Sequence, residues 1–264
     1  MNDGFLYEAN EYLVLLGFLV GLLAAGEAGF RLGRRADRGA REKAKAQVTA
    51  VEAALLGILG LLLGFTMSMA VTRFEARKQL ALEEANAIGT SYLRTQVLPA
   101  PQGEEIAGLL RQYIDVRLQY LAVGHDPAQL AARRAQAERL QQEFWSRAAT
   151  YAQQDPNPVK AGLLLQSLNQ TIDLEAASWM AFHNHVPETV IFVDALVALL
   201  AAMLVGYGTG LDDRREVFSL CLLALAITVV LAVIVDLDRP YRGFIRLSQQ
   251  PMIDLQQQVR RPGL

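Results

Sequence analysis

Three acidic residues sit where acids are rare, inside or beside long apolar runs: Glu27, Glu52 and Asp194. Burying a charge at membrane depth costs several kcal/mol on most scales, so such residues face a water-filled path or a partner. One acid per subunit repeated around an oligomer would make an acidic ring, which favours cations. The alternative is pairing near the headgroups with basic neighbours such as Arg31 or Lys45. Three glycines, Gly57, Gly60 and Gly64, clear one face of the same apolar run that holds Leu62, Leu63, Phe65 and Met67. That face suits close helix packing, or else a flexible pore lining. Leu63 and Met67 could form an apolar constriction, and Glu52 would stand at its mouth.

Two polar clusters flank the apolar runs. The first is Glu83-Glu84-Ala85-Asn86-Ala87-Ile88-Gly89-Thr90, followed by Tyr92-Leu93-Arg94. The second is Asp236-Leu237-Asp238-Arg239-Pro240, with Arg242, Gly243 and Arg246. Glu84, Asn86, Asp236 and Asp238 are candidates for an ion-coordinating vestibule; salt bridges from Glu84 or Asp238 to nearby arginines are the structural alternative. His183-Asn184-His185 with Glu188 matches no familiar metal-ligand spacing, because residues two apart on a helix point in different directions, so no metal site is expected. The chain has no Walker loop, no Gly-x-Ser-x-Gly and no His-Glu-x-x-His, and neither an enzymatic activity nor a cofactor is expected.

The elements that must carry these residues are apolar helices. The 264 residues are 52% hydrophobic yet 20% charged, so apolar blocks alternate with charged ones. A bilayer core about 30 Å thick needs roughly 20 apolar helical residues, and four segments qualify: 12–33, 53–71, 189–211 and 217–235. No Lys or Arg precedes Tyr12, which favours an anchor helix over a signal peptide. A net charge of −2 offers no field for nucleic acid. The single Cys221 lies in an apolar run and reads as a packing residue.

Residues 72–187 hold 11 Lys/Arg against 12 Asp/Glu and are cut by turn signals at Pro99–Gly103, Gly124–Pro127 and Asp155–Pro158. Between them run four stripes at helical spacing. They are Phe74, Ala81, Ala85, Ile88 and Tyr92; Ile106, Leu109, Leu110, Tyr113, Val116 and Tyr120; Leu130, Ala137, Leu140, Phe144, Ala148 and Tyr151; and Ala161, Leu165, Leu168, Ile172, Ala176 and Trp179. No stretch alternates like a strand. The expected fold is all-α: a polytopic membrane protein with four transmembrane helices and a helical bundle inserted between spans two and three. The expected parts are 1–71 with two spans, 72–187 as the bundle, 188–237 with two spans, and 238–264 as a tail outside the membrane. The outer bundle helices are expected to continue spans two and three.

Nine Lys or Arg lie beside the two short loops, against six near the opposite span ends. The positive-inside rule therefore puts the loops in the cytoplasm and the bundle outside.

The run Arg73-Phe74-Glu75-x-Arg77 through Glu84-Ala85-Asn86-Ala87-Ile88-Gly89-Thr90-x-Tyr92-Leu93-Arg94, together with Asp236-x-Asp238-Arg239-Pro240-x-x-Gly243, resembles the bacterial bestrophin-like membrane proteins. The resemblance covers most of the chain. It implies a homo-oligomeric channel for inorganic ions in the bacterial inner membrane, pentameric if it assembles as true bestrophins do, which conduct anions and keep their large domain in the cytosol. That orientation is opposite to the one the charges favour. The aromatic and aliphatic neck motif of true bestrophins is not reproduced in span two. A non-conducting sensor or scaffold, acting through the bundle, is the competing expectation.

Overall fold

A computed structural model describes residues 10–36, 38–122, 127–155, 158–212, 215–239 and 244–261. Among them are eight helices and no strand: α1 (Glu11–Arg35), α2 (Arg38–Thr95), α3 (Gln102–Ala122), α4 (Pro127–Gln154), α5 (Pro158–His183), α6 (Glu188–Leu211), α7 (Val217–Asp238) and α8 (Gln250–Arg260). Among the described residues, four stretches are long and apolar enough to cross a membrane. They lie in α1, in α2, in Pro158–Leu211 and in α7. The chain forms two compact units. One comprises residues 1–72 and 185–239, and the other residues 73–184 and 240–264.

The first unit is held by backbone-to-backbone contact between α1 and α6. Gly29 lies against the backbone of Met203 and Tyr207, Gly33 against Tyr207, Gly206 against Gly26, and Gly210 against Phe30. A Cβ added at any of these four would collide with main-chain atoms, which cannot swing aside. In lipid, where apolar surface gives no driving force, this closeness is what makes two helices adhere. The matching positions ascend along both helices, so α1 and α6 run in the same direction. Ala198, Ala201 and Ala202 continue the small-residue face and are buried. Asn10 starts α1, its Oδ1 accepting the Tyr12 N–H at 3.1 Å.

The helix α2 is 58 residues long, unbroken from Arg38 to Thr95. In the other unit its upper part packs with α3, α4, α5 and α8 around Ile88, Tyr92, Ile106, Leu110, Tyr113, Phe144, Leu164 and Leu168. Tyr113 meets Phe144 edge-on, with centroids 5.8 Å apart. Burial pushes the Tyr113 phenol well above its ordinary range, and its oxygen accepts from Gln141 Nε2 at 3.1 Å.

Three features differ from the sequence reading. Residues leading to the third span do not continue the bundle helix, because α5 ends at His183 and α6 begins at Glu188. Pro187 disfavours helix for the residue before it. Asp238 Oδ2 takes the Val186 N–H at 2.7 Å, and Arg77 caps the end of α5 from Nε to Ala181 O and from Nη2 to Asn184 O, at 3.0 and 3.1 Å. These bonds satisfy groups that a helix end leaves orphaned. The α5 stripe holds over its first part, with Ala161 and Leu168 in the core and Leu165 and Ile172 packed against it, and departs beyond that. Ala176 is exposed, while Ser167, Thr171, Glu175 and Ser178 are buried. Finally, the C-terminal segment is not a free tail, since Met252, Leu255 and Val259 of α8 belong to the bundle core. Pro240, Arg242 and Gly243 lie outside the described residues, as does the Gly124–Asp126 turn.

Candidate functional site

In the first unit, α2 has two unlike faces. Leu59, Leu63, Thr66 and Ala70, spaced four, three and four, are buried. The opposite face carries Gly57, Gly60, Leu61, Gly64, Phe65 and Ser68, all exposed. A Cβ built at Gly57, Gly60 or Gly64 would meet nothing within 4 Å. These glycines therefore do not form a packing seam within the chain. That role falls to Gly26, Gly29, Gly33, Gly206 and Gly210, whose spacings of three and four in Gly26-x-x-Gly29-x-x-x-Gly33 and Gly206-x-x-x-Gly210 were an equally visible signal. Leu63, at 8% exposure, lies on the buried face of α2, and Met67 is half-buried.

The three acids have three different fates. Glu27 is paired, with Arg31 Nε and Arg215 Nη2 each 2.8 Å from its Oε1. Glu52 is half-buried in a polar recess of about 170 Å³, lined by Lys45, Thr49, Gly208, Thr209, Asp212 and Glu216. There Lys45 pairs with Asp212 at 2.6 Å and not with Glu52. Asp194 is fully buried, and neither carboxylate oxygen has a hydrogen-bond partner.

Of the second polar cluster, Asp238 is fully buried and holds the turn before α6. Besides binding Val186 N–H, it stands 3.5 Å from His185 Nδ1, which also lies 3.1 Å from the Asp238 carbonyl. Asp236 is buried as well. His183 lies elsewhere, its Nδ1 2.9 Å from Trp179 O and its ring 4.0 Å from that of Trp179. The two histidines are thus turned to different partners.

In the bundle, Glu84 is separated from Asn86. Glu84 is buried and receives Arg117 Nε and Nη2 at 2.6 and 2.9 Å, with Ser178 Oγ donating to it at 3.3 Å. Glu175 stands 3.6 Å from the same guanidinium. The Glu84–Arg117 ion pair is the structural alternative weighed from the sequence, now with a named partner. Arg117 was missed, although a charge falling on the apolar stripe of Tyr113, Val116 and Tyr120 was the available signal. Asn86 is exposed on α2 and, with Thr90, borders a groove of about 470 Å³ whose other wall includes Asp254 and Gln258 of α8.

Apolar spans, a fully helical insert and polar residues exposed along one long helix define a polytopic helical membrane protein. The Bestrophin-like domain model matches residues 20–252, and the chain belongs to that family. Crystal structures of a bacterial bestrophin homolog from Klebsiella pneumoniae share the fold. One single-site mutant superposes with a TM-score of 0.67 at 14% identity, covering 93% of this chain and 97% of that one. A second gives 0.68 at 13% identity over the same shares. A third gives 0.68 at 14%, covering 93% and 96%. No curated protein matches the chain.

Proposed function

We propose that the protein is a homo-oligomeric ion channel of the bacterial inner membrane. Its pore is lined by the outward face of α2, with Gly57, Gly60, Gly64 and Ser68 towards the lumen in the membrane. Asn86 and Thr90 are two exposed polar residues on the same helix in the bundle, and Glu52 contributes charge at the other end of the apolar segment. The observation that carries this reading is the bare glycine face. A membrane helix with an open side of Gly57, Gly60 and Gly64, which packs on nothing in its own chain, has that side free for neighbouring copies or for water. Membership of the bestrophin-like family supports conduction as its use. The gate is set by exposed apolar residues such as Leu61 and Phe65, not by Leu63. Glu52, half-buried in its recess beside Gly208 and Thr209, would add one acid per copy near that mouth, which favours cations.

The test is purification of the full chain, measurement of its assembly, and ion flux in liposomes. The reading predicts a closed ring of identical copies and a flux carried by inorganic ions. A monomer with no flux would favour the scaffold alternative. Glu52→Gln should then change the cation-to-anion preference without abolishing flux.

A further inference from the structure

We propose that the open cavity between the end of α2 and the start of α3 binds a free zwitterion of amino-acid size. Arg111 takes its carboxylate and Glu104 its ammonium.

The cavity measures about 390 Å³, within the roughly 300–1,000 Å³ usual for small-molecule sites. Thr95, Leu98 and Ala107 are buried and form its floor. Arg111 lines it half-buried, and Glu104 lines it exposed. Both stand on α3, seven residues apart, which is two turns along one face and roughly 10 Å of rise.

The guanidinium is held in place before any ligand arrives. Arg111 Nη1 donates to the Tyr92 hydroxyl at 3.0 Å, and that hydroxyl donates to Val259 O at 3.2 Å. The guanidinium carbon also lies 5.8 Å from the centre of the Tyr92 ring, within cation–π reach. Tyr92 thereby fixes Arg111 without neutralising it. The remaining edge of a guanidinium so placed suits the two-pronged grip of a carboxylate.

Ion pairing elsewhere in the bundle sets these two residues apart. Glu105, next in sequence to Glu104, pairs with Arg147, and Asp115, four residues beyond Arg111, pairs with Arg260. Among the described residues neither Glu104 nor Arg111 has an ion-pair partner, although both border one cavity. A bare anion would be repelled by Glu104 and a bare cation by Arg111. The arrangement therefore selects a molecule that carries both charges.

The site lies wholly within the bundle and stands whether or not the chain conducts. Its occupant would bear on three helices, on α3 directly and on α2 and α8 through Tyr92 and Val259.

The experiment is a thermal-shift titration of the full-length, detergent-solubilised protein at constant ionic strength. The probes are L-alanine and glycylglycine, with acetate and methylammonium as the separate charged halves. The expected result is a saturable rise of the midpoint with at least one zwitterion and no comparable rise with either half. Glu104→Gln and Arg111→Gln should each weaken that response about tenfold or more. Glu104 has no partner to lose, so its variant decides the matter if Arg111→Gln, which also releases Tyr92, does not fold. No rise with either zwitterion overturns the proposal. An equal rise with acetate, or a full response in Glu104→Gln, overturns it as well.

Discussion

Arg117 holds both carboxylate oxygens of Glu84, from Nε at 2.6 Å and from Nη2 at 2.9 Å, with both side chains only 3% exposed. The fork geometry of a guanidinium matches a carboxylate, which makes such a pair strong and directional. It also joins α2 to α3 at the centre of the bundle, with Glu175 and Ser178 of α5 as further partners.

Removing one partner leaves the other charged and buried. Arg117→Met should cost about 3–5 kcal/mol and lower the thermal midpoint of the detergent-solubilised protein sharply. The double variant Arg117→Met with Glu84→Leu should recover part of that loss. A thermal shift assay on the single and double variants checks this. Equal losses in both would mean that the pair is not what holds the bundle there.

The glycine assignments make a second contrast. Gly206→Val places side-chain atoms into the α1 backbone at Gly26, so the variant should fail to accumulate as folded protein. Gly64→Ala has open space around it and should fold like the wild type. Expression and monodispersity on size exclusion separate the two outcomes.

How far the sequence could be read differs from element to element, and the reasons are physical. In α3 every residue of the expected stripe, Ile106 through Tyr120, is buried, because apolar residues at helical spacing have one way to satisfy water. In α5 the buried face mixes Leu164 and Leu168 with polar residues, Thr171 lying 3.2 Å from Ser91 and Glu175 beside Arg117. A polar stripe looks like a solvent face until its partners, 80 residues away in the case of Ser91, are known. Glycine triplets mark close approach but not what approaches, so Gly57, Gly60 and Gly64 read the same as Gly26, Gly29 and Gly33. Glu84 and Asn86 are two positions apart on one helix and therefore face differently, one into the ion pair and one outward. The docking of α8 was legible in Met252, Leu255 and Val259, spaced three and four.

That docking gives a third prediction. Leu255→Ala removes a core side chain and should cost about 2–5 kcal/mol, if α8 is anchored by its apolar face. The ion pair of Arg260 with Asp115 is 2.7 Å long but more than a third exposed on both sides. Asp115→Asn should therefore cost about 1 kcal/mol or less. Protease sensitivity of the C-terminal segment in each variant reports the difference.

The cap on α5 provides a fourth. Arg77 is 2% exposed and donates to two carbonyls from separate nitrogens. Lysine has the charge but not the planar fork, so Arg77→Lys should be destabilised nearly as much as Arg77→Gln. Similar thermal midpoints for Arg77→Lys and wild type would show that charge alone suffices.

The most direct test of the central claim, that the outward face of α2 lines an ion pathway, is cysteine accessibility during flux. It starts from a Cys221→Ser background, because the native cysteine is exposed. Single cysteines at Gly64, Ser68 and Leu63 are then treated with a water-soluble thiol reagent in conducting liposomes. The account predicts rapid block at positions 64 and 68 and none at position 63; block at 63 with no effect at 64 and 68 would contradict it.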